Sequence, residues 1–256
     1  MTGFLLFTLY APLASWGEIA VGEARGSWDR PSRSAMLGLL AAALGITRED
    51  QDSHDALNEG YGLAVRLDAG GASLMDYHTA QTAAEPEIKK AFGEERPQTR
   101  RALLSVAERQ TILSRRELRE DALATACLWA RAHARWPLEA LKQALERPVF
   151  IPYAGRKANA FGLPVGPSIM EAESLASAFA QRPPRRAEDA FKILDRLKLR
   201  NAWGREVAHD PLPQGIASGL TVVRSETRRD ASPRRDRWQF AERAVTVGLM
   251  PEGEPP

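Results

Sequence analysis

The run Phe4 to Tyr10 is apolar, aromatic-rich and short, and it stops at Ala11-Pro12. Continuous apolarity without polar alternation fits a central strand covered on both faces, so the chain opens with the middle of a sheet. A loop rich in Gly, Arg and Trp follows through Arg30. Pro31-Ser32 then introduces Met36, Leu39, Leu40, Ala43 and Leu44 at helical spacing. Ser32 suits the N-cap and Gly45 the C′ position, which predicts a helix directly after the first strand.

Tyr61, Leu63, Val65 and Leu67 alternate at period two and end in the turn signal Asp68-Ala69-Gly70-Gly71, giving a second strand. A charged insertion with little apolar periodicity runs from about His78 to Leu113, before Ala122 to Ala130 resumes as a buried strand. Pro137 suits the first position of a helix whose Leu138, Leu141 and Leu145 share a face, and Pro148 closes it. Val149 to Tyr153 reads as a fourth strand. Strand, helix, strand, insertion, strand, helix, strand is the order of a ferredoxin-like split βαβ unit, an α+β fold. Beyond Gly155 a Gly and Pro-rich stretch leads to a helix-like Met170 to Phe179. Short strands at Phe191 to Leu199, Gly219 to Val223 and Ala244 to Leu249 are expected to cap the core, and Pro251 to Pro256 to fray. At 256 residues this makes one domain, 1–256, with an insertion at 79–113 and a C-terminal β elaboration at 155–250.

No apolar run approaches the ~20 residues that cross a bilayer, and Met1 to Tyr10 lacks the basic start of a secretory signal. A soluble, cytoplasmic protein is expected. The single cysteine, Cys127, lies in an apolar run and reads as a small buried hydrophobe. His54, His78, His133 and His209 show no metal-ligand spacing, so neither a structural metal nor a cofactor is expected. Net charge is only +2, but its distribution is uneven. Residues 182–200 hold seven basic side chains against three acidic, and 224–243 hold seven against four. Arginine dominates both, which suits bidentate phosphate contact and equally a solvated face.

Three places carry candidate binding groups. The loop-to-helix junction Arg25, Arg30, Arg33 and Ser34 sits where free backbone N–H groups and a partial positive charge favour anions, and Gly38 would admit a close backbone approach. Tyr77-His78 puts a ring and an imidazole where the insertion opens. Gly155-Arg156-Lys157 follows a strand with a flexible residue and two cations. Each has a bland reading as surface or core chemistry. There is no Walker loop, nucleophile elbow, H-E-x-x-H or dinucleotide fingerprint.

Taken in order, several segments resemble the subtype I-E branch of the CRISPR-associated protein five family in the RAMP superfamily. They are Ala11-Pro12-Leu13-Ala14-Ser15-Trp16-Gly17, Arg30-Pro31-Ser32-Arg33-Ser34 running into Leu37 to Ile46, Asp76-Tyr77-His78-Thr79, Ser114 to Ala122, Pro152 to Lys157, and Gln239-Phe240-Ala241 with Arg243. The resemblance implies an RRM-related RAMP domain that grips the 5′ handle of crRNA without catalysis, in a Cascade complex that serves antiviral defence. The insertion would be a thumb. Partners would be the backbone subunit CasC, the large subunit CasA and the target DNA held within the complex. Handle contacts would fall at Arg25, Arg30, Arg33, Ser34, Tyr77, His78, Arg156 and Lys157, and thumb contacts at Arg100, Arg101, Arg115 and Arg116.

Two other functions fit the residues. Members of another subtype cleave repeat RNA without metal using Tyr, Lys and His, and Tyr77, His78 and Lys157 would be the raw material here. An α+β metabolic enzyme with an arginine-lined pocket for an acidic substrate is the third reading.

Overall fold

The computed structural model describes residues 1–17, 20, 22–95, 97–106, 108–182, 205–234 and 239–252. The opening run becomes β1 (Thr2–Ala14). Its side chains alternate between two apolar layers, as the pleat requires. Leu5, Phe7 and Leu9 enter one layer, with Met36, Leu40 and Leu141; Phe4 and Leu6 enter the other, with Trp129, Leu175 and Phe179.

After the two-residue β2 (Ala24–Arg25), α1 spans Arg33–Leu44. Ser32 caps it by accepting from Ala35 N, and Gly45 ends it in the left-handed conformation. A second helix, α2 (Gln51–Gly60), leads into β3 (Tyr61–Ala69). Sequence periodicity did not signal α2, because Leu57 is its one large buried apolar residue. Next come β4 (Ala72–Ala83), α3 (Glu85–Phe92), α4 (Arg100–Leu103) and the 22-residue β5 (Arg109–Ala130). Then follow α5 (Leu138–Glu146), β6 (Ser168–Ala172), α6 (Leu175–Ala180), β7 (Glu206–His209), β8 (Thr221–Arg234) and β9 (Gln239–Leu249).

The fold is mixed α/β around one large sheet with strand order β6-β1-β5-β3-β7-β9-β8, and all neighbours on that path are antiparallel. One layer packs α1 and α5 on the sheet; the other packs α6 on it. The insertion is a ribbon. β4 pairs with the outer half of β5, from Ala72↔Glu120 to Ala83↔Arg109. Its far end closes on a small cluster of Ala83, Ile88, Phe92, Leu103 and Val106.

Two sequence expectations need correction. Val149 to Tyr153 is not the fourth strand: Val149 N and Phe150 N instead cap α1 by donating to Ala43 O and Ala42 O, while Ile151 is exposed. The strand beside β1 is β6, at Ser168–Ala172. Met170 to Phe179 is accordingly half strand and half helix, divided at the Ser174 capping box. The expected strand at Phe191 to Leu199 lies outside the described residues.

A buried ionic network joins α1 to the C-terminal strands. Asp210 accepts from Arg33 Nη1, from Leu63 N at 3.1 Å and from Arg243 Nη1 at 2.6 Å. Asp230 accepts from Arg33 N at 2.7 Å and from Arg243 Nε at 2.5 Å. Arg33 is 5% exposed, and burial works against its charge while Asp210 supports it. Removing one partner leaves a buried charge unpaired. Asp210→Ala is therefore expected to destabilise the fold by about 3–5 kcal/mol in urea unfolding. Lys142→Ala, in an exposed pair with Glu139, should leave the urea midpoint almost unchanged.

Candidate nucleic-acid interface

A cleft of about 1090 Å³ opens where the loop after β1 meets α1, the 152–156 loop and the β8–β9 hairpin. Trp16, Trp28, Tyr153 and Phe240 give it aromatic walls; Arg25, Arg156, Arg228 and Arg229 give it positive charge against one carboxylate, Asp230. Gly38 and Ser34 line its floor on α1.

Backbone contacts set the walls. Ser15 N donates to Ala154 O at 3.1 Å, and Gly155, at φ +82°, lies so close to β1 that a Cβ would fall 1.6 Å from Ser15 O. Only glycine tolerates both that conformation and that approach. On the ribbon side, Ser27 Oγ accepts from Trp16 N at 2.9 Å, and Ser27 N donates to Glu117 at 3.2 Å.

The ribbon then adds a row of side chains. Arg25 on β2 pairs with Arg116 on β5, which pairs with Asp76 on β4, so the three share one face. His78 lies on the same face, opposite Ser114, with Nδ1 3.5 Å from Asp76 Oδ2. Arg156 comes within electrostatic reach of this row: burial first, then the neighbouring Arg116 and Arg25 guanidiniums, lower its basicity, while Asp76 opposes them. Clustered cations with one counter-charge favour an anionic ligand.

The structure divides the candidate residues sharply. Arg25, Ser34 and Arg156 line the cleft. Arg116 and His78 extend it along the ribbon. Lys157 is exposed beside Arg156 but outside the lining. Tyr77, 57% exposed, pairs with Arg115 on the opposite face of the ribbon, because successive strand residues point to opposite sides. Arg100 and Arg101 sit on α4 at the ribbon's far end, both exposed.

Arg30 and Arg33 correct the expectation that they face a ligand. Arg30 is 3% exposed and paired with Asp29 at 2.9 Å and with Glu206. Arg33 serves the internal network, and the carboxylate of Asp230 occupies its backbone N–H at the start of α1, where an external anion was expected. Among the described residues of the basic stretch 224–243, three arginines are paired internally: Arg224 with Glu206 and Glu226, Arg228 with Glu226, Arg243 with Asp210 and Asp230. Arg228 also lies 4.5 Å over the Trp28 ring, which fixes that wall of the cleft. Of the stretch 182–200, Arg182 is buried, donating to Gly166 O at 2.5 Å; the others lie outside the described residues. Sequence reading found Gln239-Phe240 as a motif but not as a cleft wall, since its partners are distant in sequence.

Comparison with known proteins gives the family. The family described as CRISPR-associated protein (Cas_Cas5) matches residues 4–246. The chain belongs to that family. It is 34% identical over 165 residues to the CRISPR system Cascade subunit CasD of Escherichia coli (strain K12), a stretch covering 61% of this chain and 66% of that protein, just under two thirds of its length. The fold is shared with a chain of a CRISPR RNA-guided surveillance complex (TM-score 0.58, 22% identity, 97% of this chain and 90% of that one). It is shared also with a Cas protein known from a crystal structure (TM-score 0.55, 22% identity, 98% and 100%). Among the described residues of this Cas5 chain, no helix is long and apolar enough to cross a membrane, and no cluster of His, Cys, Asp or Glu would hold a metal.

Two outcomes test the construction of the cleft. Gly155→Ala is expected to cost more than about 1 kcal/mol, measured by thermal unfolding, because loop and strand must separate. The Glu206 carboxyl, hydrogen-bonded by Arg224 and Arg30, is held at about 2 against an ordinary 4.5. Its folded value lies below its unfolded one, so its contribution is complete above the ordinary value and is lost as pH falls toward 2. A melting-temperature profile should drop across that window, and Glu206→Gln should flatten that part of it.

Proposed function

We propose that this chain is a non-catalytic, RNA-binding subunit of a cytoplasmic Cascade-type complex, holding the 5′ handle of crRNA in the cleft. The observation that carries the reading is the convergence of Arg25, Arg116 and Arg156, from three separate chain segments, beside aromatic walls. Cations that track a backbone and rings that stack on bases are the two requirements of single-stranded RNA recognition. Family membership and the likeness to CasD support the choice of complex. On this reading β1, β3, β5 and β6 with their crossover helices form a ferredoxin-like, RRM-related core. Because α6 covers the sheet face opposite α1, RNA would follow the cleft at the ends of the strands rather than the open sheet face.

The ribbon and its end helices, spanning the 79–113 insertion, would act as the thumb toward CasC, with Arg100 and Arg101 at its end and Arg115 on its outer face. CasA and the target DNA complete the proposed surroundings. Binding is favoured over cleavage because the groups that would cut do not meet: Tyr77 and His78 face opposite sides, and Lys157 belongs to another loop.

Arg116→Ala and Arg156→Ala are each expected to weaken binding of handle RNA by roughly tenfold, the loss of one charge-assisted contact, with melting temperature unchanged. The log-log salt slope should also fall, by about 0.7 per phosphate contact removed. A salt-independent affinity would point to a small acidic substrate instead. Handle-length products from repeat RNA, absent with His78→Ala, would replace binding with endoribonuclease activity. Arg33→Ala should instead lower stability, consistent with its burial.

A further inference from the structure

Where β5 leaves the sheet to become the ribbon, three chain segments depart from regular strand geometry at one level. Asp121 has φ +53°, and among the described residues it alone holds a positive φ without being glycine. Such a conformation is strained and persists only where surroundings enforce it. On one side, the β1–β5 ladder runs through Ala11↔Ala122 and resumes at Leu13↔Glu120, stepping over Pro12 and Asp121. Pro12 has no N–H to give at that step. On the other side, β3 pairing ends at Ala69↔Leu123 after a register shift and β4 pairing starts at Ala72↔Glu120, with the turn Gly70-Gly71 between. Gly71 has φ +68°, and a Cβ there would fall 2.2 Å from Glu120 O.

The enforcing contact is one hydrogen bond: Tyr10 Oη donates to Asp121 Oδ1 at 2.9 Å. Tyr10 is 5% exposed, and Gly162 presses on its ring so closely that a Cβ would fall 2.7 Å from it. Burial, then the bond to Asp121, raises its phenol to about 12, so the donor keeps its proton. We propose that Asp121, held by Tyr10, is a positioning residue: an elbow that fixes the direction of the ribbon and so aligns Arg116 and His78 with Arg25 and Arg156 along the cleft. Aspartate suits the place because its short polar side chain tolerates the left-handed region and supplies the acceptor. The role rests on the RNA-binding reading for its purpose, but the elbow itself is measurable without RNA.

The experiment uses the full chain with spin labels at Lys90→Cys, on α3 at the ribbon's end, and Glu139→Cys, on α5. Native Cys127 is buried and out of reach of the label. Asp121→Val, whose β-branched side chain refuses a positive φ, is expected to shift or broaden the label-to-label distance distribution and to weaken handle-RNA binding roughly tenfold. Asp121→Asn, which keeps both the conformation and the acceptor, should match the parent in both. Arg116→Ala should lose affinity with the distribution unchanged, which separates aim from charge. A folded Asp121→Val protein whose distribution superimposes on the parent's overturns the proposal. If that variant does not fold, Tyr10→Phe decides by the same distances: broadening upholds the elbow and an unchanged distribution rejects it. A distribution that responds as expected in a protein that binds no RNA would uphold the elbow and reject the RNA-binding reading.

Discussion

Two buried carboxylates, Asp210 and Asp230, hold the two halves of this molecule together. They lie after β7 and on β8; the Arg243 guanidinium on β9 binds both, while Arg33 on α1 gives its guanidinium to Asp210 and its backbone N–H to Asp230. Taking such charges out of water costs several kcal/mol per ion, and the geometry repays that only when each oxygen finds a donor. Here each carboxylate binds both arginines, and Asp210 also binds the backbone of Leu63 on β3. The network thus ties the first helix to the last hairpin, and that hairpin forms one wall of the cleft. An apolar contact at the same place would bring α1 and the hairpin together without fixing their register.

The arginines consequently fall into two groups that look alike in sequence. Arg30, Arg33, Arg66, Arg182 and Arg243 serve internal oxygens. Arg25, Arg116 and Arg156 share one positive surface. What separates Arg30 from Arg25 is an acid far along the chain, Glu206. Short-range reading sees each arginine near a helix start and assigns all of them to a ligand. The pairing that withdraws some of them is a tertiary fact with no local signature.

The same contrast explains which elements were legible. β1 and α1 advertise themselves because burial dictates their side chains, and Ser32 and Gly45 mark the helix ends. The ribbon does not. Both its faces meet solvent along much of its length, so no period-two hydrophobicity develops, and a 22-residue strand showed only its inner, apolar half. The run Val149 to Tyr153 misled for the opposite reason: its apolar residues lie largely exposed, while its backbone N–H groups close the end of α1. Of the candidate interface, Arg25, His78 and Arg156 stood out in sequence, but the facing of Tyr77 away from His78 required the register of β4 on β5.

The ribbon is also a cantilever. Its twelve-residue strand β4 reaches about 40 Å at ~3.3 Å per residue. Its root is an interior strand of the sheet, β5, clamped between β1 and β3. A load applied at the free end therefore arrives among the buried residues of the inner half of β5, well away from the point where it was applied.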